Sequence, residues 1–346
     1  MRQRGRTLRV APVSPLRNGP NGAPQSEAAA QSLRAHRPAG LFLSSSPGTR
    51  GTPGGFTGST GIHQVSDRER VTTRRERAMS DTALQAQVDA AKAYEALFVP
   101  ALFGQWVSKV ADAAQVQPGQ RVLDVACGTG VLARAILSRT GPSGQVVGLD
   151  LNPAMLAVAN ELAPAVTWRQ GAAESMPFPD QSFDAVVSQF GLMFFEDRQQ
   201  AVREMLRVLT AEGCLAVAGW DALEPMPAYA AEVALLERLA GRPAAEALRA
   251  PFALGNRDDL ARLFRNSGAA SVVVTTHEGT ARFPSIRVMV EADLRGWLPV
   301  MGVHLTEDQI GRVLTEAETE LVKYVGPDRR VSFAVRAHVA AVPGVR

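Results

Sequence analysis

Cysteine, lysine and long apolar runs are what this chain of 346 residues has least of, and each scarcity excludes something. Cys127 and Cys214 are its two cysteines, too few for a disulfide scaffold and without metal-ligand spacing, so a reducing cytoplasmic setting and no metal are expected. No run of about 18 apolar residues occurs, which excludes a membrane-spanning helix. With 46% apolar and 21% charged residues, the composition is that of a folded enzyme, neither disordered nor fibrous as a whole.

Only 3 of the 37 basic residues are Lys, and the charge is unevenly placed. The first 78 residues hold 13 Arg and 4 acids, a balance of +9, which leaves 24 basic and 30 acidic residues, −6, to the remainder. A surface built for a phosphate backbone would carry the opposite sign, so no nucleic-acid partner is expected. Those 78 residues include 7 Pro, 10 Gly and 8 Ser against 12 Leu, Ile, Val and Phe, with no sustained period of 2 or 3.6. Such a segment cannot offset its chain entropy by burial, and residues 1–79 read as a disordered extension. Met1 to Arg9 has the Arg-rich character of a transit peptide but no amphipathic stripe follows. Met79, next to Ser80 and Asp81, has the look of a natural start, which favours an over-extended reading frame in a GC-rich gene.

From Ser80 the pattern becomes periodic, and residues 80–346 read as one domain with a core over about 94–220 and further segments over 221–346. Ser80 and Asp81 can cap a helix running to about Phe98. Pro100 permits a second helix whose apolar face is Leu102, Phe103, Trp106, Val107 and Val110. Then follow strand Arg121 to Ala126, helix Val131 to Arg139, strand Gln145 to Asp150, helix Pro153 to Leu162, strand Val166 to Gln170, strand Phe183 to Gln189, helix Arg198 to Leu209 and strand Cys214 to Trp220. Ala270 to Thr276 and Val331 to Val339 read as the last two strands. Helices are expected at Pro227 to Leu239, from Asn256 through Phe264, at Ser285 to Trp297 and at Thr306 to Val325. Strands alternating with helices imply parallel pairing and right-handed crossovers. The expected fold is α/β: a doubly wound, Rossmann-like, mostly parallel seven-stranded sheet with helices on both faces and helical cap insertions.

Such sheets bind ligands at the carboxyl ends of their strands. The first strand ends in Val122-Leu123-Asp124-Val125-Ala126-Cys127-Gly128-Thr129-Gly130, where two glycines let a ligand approach backbone at a helix start. The second ends in Asp150, twenty residues after Gly130, where a carboxylate can accept ribose hydroxyls. Glycine spacing alone also fits a nicotinamide dinucleotide. Asp124 argues against a pyrophosphate, because an anion beside an anion is unfavourable in a desolvated loop. A ligand with a nucleoside at one end and a cationic amino acid at the other would gain from it, as S-adenosylmethionine would; the plainer reading is a carboxylate that caps the turn.

Further motifs are Gly148-Leu149-Asp150-Leu151-Asn152-Pro153-Ala154-Met155-Leu156, Gly171-Ala172-Ala173-Glu174-Ser175-Met176-Pro177-Phe178, Ser182-Phe183-Asp184-Ala185-Val186-Val187, Glu204 to Leu209, and Gly213-Cys214-Leu215. In this order and spacing the chain resembles the class I S-adenosylmethionine-dependent methyltransferases, and within them the ubiquinone/menaquinone-biosynthesis-like (type 11) branch. The resemblance covers about Tyr94 to Trp220. It implies that Asp124, Gly128 and Gly130 hold the amino-acid end of S-adenosylmethionine, that Asp150 takes the ribose, that Leu151 packs on adenine and that Gln189 sits near the methionine portion. Where the family has Asp this chain has Ala172, so adenine would rely on backbone near Ala173 and on Glu174.

The amino-group methylases carry Asn or Asp before Pro-Pro-aromatic where this chain has Ser188-Gln189-Phe190-Gly191, which disfavours that chemistry and leaves a carbon, oxygen or sulfur of a small-molecule acceptor. Tyr94, Trp106, Trp220 and Trp297, with Met301, are expected on the acceptor side. Cys127 reads as a loop residue tolerated for size. His277, His304 and His338 could each act as a base but read first as structural, so no catalytic base is assigned. Two other readings stay open: a non-catalytic S-adenosylmethionine-binding protein and a nicotinamide-dependent oxidoreductase.

Overall fold

Residues 84–344 are described by the computed structural model. The extension expected over 1–79 and the capping residues Ser80 and Asp81 lie outside the described residues. Apolar runs in the strands create a sheet covered on both faces. Its strands are β1 (Arg121–Val125), β2 (Gln145–Asp150), β3 (Thr167–Gln170), β4 (Phe183–Gln189), β5 (Leu209–Trp220), β6 (Val273–Phe283) and β7 (Val331–Val342). They lie in the order β3-β2-β1-β4-β5-β7-β6. The first five are parallel, and β7 runs antiparallel to both β5 and β6. This is the doubly wound seven-stranded sheet expected from the alternation of elements.

The helices are α1 (84–98), α2 (Val107–Ala113), α3 (Val131–Thr140), α4 (Pro153–Leu162), α5 (Arg198–Val208), α6 (Pro227–Ala240), α7 (Arg242–Arg249), α8 (Arg257–Asn266), α9 (Ile286–Ala292) and α10 (Glu307–Glu320). None of them is long and apolar enough to cross a membrane. Strand alternation sends Val122, Val146, Ala185 and Ala216 toward Val110 of α2 and Ile136 of α3. It sends Leu123, Val147, Val186 and Leu215 toward Met205 of α5 and Phe264 of α8. Local caps fix the helix starts: Asn152, Asp197 and Ser285 each accept a backbone N–H of the first turn, Asn256 accepts two, and Thr306 with Gln309 forms a reciprocal box.

Several boundaries differ from the sequence expectation. The helix expected from Pro100 is continuous with α1 instead, passing through a wide turn, Val99–Phe103, and a tight one, Gly104–Trp106, before α2. β5 begins at Leu209, which pairs with Phe183, so the strand starts five residues earlier than expected. β6 extends to Phe283, well past Thr276, because His277, Glu278, Gly279 and Thr280 pair along β7 although they show no apolar alternation. Gln105 supports that stretch from the side: its amide donates to the Thr280 carbonyl at 3.1 Å and accepts the Thr280 N–H at 2.7 Å. One side chain thus stands in for a strand on this edge.

α6, α7, α9 and α10 pack on one another and on an aromatic core that includes Trp106, Phe190, Trp220, Phe283 and Phe333. Inside this layer Glu232 of α6 is fully buried and Asp293, which follows α9, is nearly so. No donor reaches either oxygen of Glu232. Burial, reinforced by the neighbouring Asp293 carboxyl, pushes the Glu232 carboxyl well above the ordinary glutamate value, and Asp293 is also raised by burial. A raised acid is most favourable to folding while protonated, so its contribution is complete below about pH 4.3 and is lost as pH climbs through the folded-state value. Glu232→Gln should therefore raise the melting temperature at pH 8 by about 2–4 °C per kcal/mol recovered, with the gain over wild type shrinking toward pH 5. Thermal melts at the two pH values measure it, and an equal or reversed difference contradicts the account.

Candidate active site

Alternation along β1 leaves Asp124 paired in register with Gly148 of β2 and Val187 of β4, in the middle of the sheet near its carboxyl edge. Asp124 is 1% exposed, and neither carboxylate oxygen has a hydrogen-bond partner. Burial pushes its carboxyl up to about 8; the Ala133 amide opposes this without reaching bonding geometry, and the charge of Asp150 adds to it. A buried polar group left unpaired costs several kcal/mol, on the order of 2–7 for a neutral one and more for a charge. Asp124 faces a cavity whose lining also includes Tyr94, Phe103, Gly128, Thr129 and Gln189. Gln189 brings a second buried, unpartnered atom, its Oε1, while its Nε2 donates to the Phe103 carbonyl at 3.2 Å.

The loop after β1 is tightly wound: Ala126, Gly128 and Gly130 all have left-handed φ, of 56°, 55° and 82°. The two glycines serve different ends. A Cβ on Gly128 would meet nothing within 4 Å, so this face of the loop is open to a ligand, whereas a Cβ on Gly130 would stand 2.4 Å from the Trp168 ring. Gly148 is the same case, with Trp168 at 2.3 Å and Cys127 Sγ at 3.0 Å from its absent Cβ. Trp168, held by its indole N–H to the Ala163 carbonyl at 3.1 Å, is thus the wedge beneath the glycine loop. Sequence reasoning missed it; the signal available was Gly148 in the middle of a strand, where glycine marks a close approach.

Asp150 closes the loop from the neighbouring strand. Its Oδ2 accepts the Gly128 N–H and its Oδ1 the Asn152 N–H, both at 2.8 Å, and burial raises its carboxyl against the pull of those amides. Each oxygen keeps a lone pair for a further donor. Leu151 beside it is 65% exposed, an apolar face left uncovered. Ala173 is buried, and Glu174 accepts the Glu196 N–H at 3.0 Å, so that carboxylate is engaged in holding the loop before α5. Cys127 is buried, and burial with the nearby Asp124 and Asp150 charges pushes its thiol far up, which fits an inert loop residue.

α1 covers the cavity. Tyr94 lines it, and its hydroxyl is pushed above the ordinary range by burial and by the Glu95 and Asp150 charges. Glu95, also missed in the sequence, accepts the Thr129 hydroxyl and pairs with Arg134 at 2.6 Å, while Arg134 donates to the Thr129 carbonyl. The three tryptophans expected on the acceptor side do not line this cavity. Trp106 is fully buried, pinned where Gly279 has no Cβ, and Trp220 stacks on Phe190 with ring centroids 4.1 Å apart. Trp297 donates to the Ala247 carbonyl at 2.8 Å and packs on Phe194; Met301 is partly buried against the same helical layer. His338 is buried among Thr276, Asp221 and Gly255, so it ties β7 to its neighbours and does not line the cavity beside Asp124.

Residues 123–217 match a methyltransferase domain family, and residues 61–164 match the protein-L-isoaspartate(D-aspartate) O-methyltransferase family. The chain is 42% identical over 118 residues to a ubiquinone/menaquinone biosynthesis C-methyltransferase of Ectopseudomonas mendocina, covering 32% of this chain and 46% of that one. It is 43% identical over 106 residues to a demethylmenaquinone methyltransferase of Chlorobaculum parvum, covering 31% and 41%. The chain thus spans less than half the length of these curated relatives. A solved structure from Anabaena variabilis, described as a methyltransferase from an antibiotic biosynthesis pathway, superposes with a TM-score of 0.53 at 16% identity, covering 69% of this chain and 97% of that one, a likeness of fold.

The wedge under the loop can be tested by itself. Gly148→Ala should destabilise the protein by about 1–3 kcal/mol through overpacking against Trp168, and by clearly less when Trp168 is Leu; denaturant unfolding of the four chains gives the coupling, and additivity would contradict the contact. Over residues 123–217 the chain is similar to the methyltransferase domain family and to the ubiquinone/menaquinone-biosynthesis methyltransferases.

Proposed function

We propose that the cavity at the carboxyl ends of β1 and β4 binds S-adenosylmethionine and that the protein moves its methyl group to a carbon, oxygen or sulfur of a small-molecule acceptor. The observation that carries this reading is the buried Asp124 carboxylate, without a donor, beside the open face of Gly128. A carboxyl in that position ionises in favour of a bound ammonium and gains nothing from a pyrophosphate, beside which its ionised form would be repelled, so the donor set fits a cationic amino-acid end. The unpartnered Oε1 of Gln189 is a second acceptor for the same group. Asp150 keeps acceptor capacity for a ribose diol, and exposed Leu151 offers an apolar face to adenine. With Ala172 lacking a carboxylate and Glu174 engaged by Glu196, adenine rests on that apolar contact and on backbone near Ala173. Nothing favours a nicotinamide cofactor.

When bound, the sulfonium supplies an activated methyl group for in-line displacement. The protein's part is to hold the donor, align the acceptor and exclude water. Asp124 and Gln189 fix one end and Asp150 the other, while Tyr94 and Phe103 close the cavity from above. No histidine lines it, and the Tyr94 hydroxyl is held protonated far above neutral pH. The site therefore suits an acceptor whose proton departs to solvent or leaves late.

Isothermal titration with S-adenosylhomocysteine should show one site per chain, and NAD should show none. Asp150→Ala should weaken that binding by about 1–3 kcal/mol, the cost of leaving hydroxyls unpaired. Tighter binding of NAD, or unchanged affinity of the variant, would remove the reading. Transfer of label from the methyl-labelled donor to a component of cell extract separates an enzyme from a binding protein.

A further inference from the structure

The polar groups that await a ligand are gathered at one end of the donor site. Among the atoms lining its cavity, both Asp124 oxygens and Gln189 Oε1 are buried without a partner. Asp150, one strand over, keeps acceptor capacity on a carboxylate that the Gly128 and Asn152 amides hold in place at 2.8 Å. Beyond Asp150 the character changes: Leu151 presents an apolar side chain to the outside, largely exposed.

The segment after β3 runs along this face. Gln170 pairs in register with Asp150, and the Gly171 N–H donates to the Asp150 carbonyl at 3.1 Å, which carries Ala172 and Ala173 past Leu151. Three hydrogen-bonding side chains belong to this stretch, and the fold uses each of them. Asn152 Oδ1 accepts the Ala154 N–H at 2.9 Å as the cap of α4, Gln170 Nε2 donates to the Leu151 carbonyl at 3.1 Å, and Glu174 Oε1 accepts the Glu196 N–H at 3.0 Å. The Ala172 carbonyl is engaged as well, by the Ser175 N–H at 3.3 Å. At position 172 the side chain is a methyl group, half-buried and without an acceptor.

A binding site rejects an analogue that lacks an N–H where it offers that N–H an acceptor which would otherwise stay unpaired. Among the described residues, no buried and unpartnered side-chain oxygen belongs to residues 150–175, whereas three of them wait at Asp124 and Gln189. Polar selection is therefore concentrated on one end of the ligand.

We propose that the donor site selects S-adenosylmethionine by its amino-acid and ribose ends and leaves the exocyclic amine of the base unread, with Ala172 as the residue that sets this tolerance. The inference rests on the S-adenosylmethionine reading. A purine without the amine keeps the flat apolar face that Leu151 would cover and the same ring nitrogens, so its loss costs the site nothing. An acceptor placed at position 172 would supply the missing contact and, with it, discrimination between the two bases.

Calorimetry on the full chain compares S-adenosylhomocysteine with two probes: its 6-deamino analogue, in which purine replaces adenine, and 5′-methylthioadenosine, which lacks the amino-acid end. The deamino analogue should bind within about threefold of S-adenosylhomocysteine, and 5′-methylthioadenosine about tenfold or more below it. In Ala172→Asp the deamino analogue should fall about tenfold or more behind S-adenosylhomocysteine; Ala172→Asn offers the same kind of acceptor and serves if the aspartate variant does not fold. A wild-type chain that separates the two bases by more than this threefold, one that holds 5′-methylthioadenosine within tenfold of S-adenosylhomocysteine, or folded variants that separate the bases by less than tenfold would each overturn the proposal. A wild-type chain that binds none of the three compounds overturns the donor reading instead.

Discussion

A carboxylate sealed inside a parallel sheet with no donor to satisfy it is the constraint that orders the rest of this molecule. Asp124 sits between Gly148 and Val187, and every hydrogen-bonding group that would pair it is absent. Such an arrangement costs folding free energy and persists when something outside the fold recovers it. The neighbouring features are consistent with a ligand in that role. The loop above Asp124 is bent into left-handed conformations at three positions, Gly128 leaves its open side toward the cavity, and Asp150 pins the Gly128 amide in place.

The two layers beyond the sheet carry the same logic outward. Beneath the loop, Trp168 fills the space that Gly130 and Gly148 leave, so the loop cannot sink toward the sheet. Above it, α1 and the turns that follow it are fastened by Glu95 to Arg134 and Thr129, and by Gln105 to the Thr280 backbone of β6. The cover is thereby joined to both halves of the sheet, which places Tyr94 and Phe103 over the donor cavity. The cap helices contribute a different environment, an apolar aromatic layer reaching Phe190 and Trp220 and containing the buried Glu232, whose carboxyl burial pushes well above the ordinary value. A charged, polar cavity and an apolar layer thus meet at the end of β4.

Much of this was legible in the residues themselves. The doubly wound, mostly parallel sheet followed from alternating elements, and Asp124, Gly128 and Asp150 stood out because acids and glycines at strand ends have few other uses. Other features left weaker traces. The length of β6 was hidden because an edge strand with polar residues on both faces shows no alternation, and its pairing is set by β7 and by Gln105. Trp106 looked like a pocket residue, yet large aromatics bury the most area and it was drawn fully into the core; Trp220 is buried as well, while one face of it lines a small cavity over Gly219. Trp168 and Glu95 act through partners more than 15 residues away, Gly130, Gly148, Thr129 and Arg134, and no local pattern announces such contacts.

The claim that Asp124 selects a cationic ligand has a direct calorimetric signature. Its carboxyl, raised to about 8, is largely protonated in the free protein at pH 6.5, and a bound ammonium would drive it to ionise. Titration of S-adenosylhomocysteine at pH 6.5 in buffers of different ionisation enthalpy should therefore reveal release of close to one proton, abolished in Asp124→Asn. Identical heats in all buffers, with binding intact, would contradict the account.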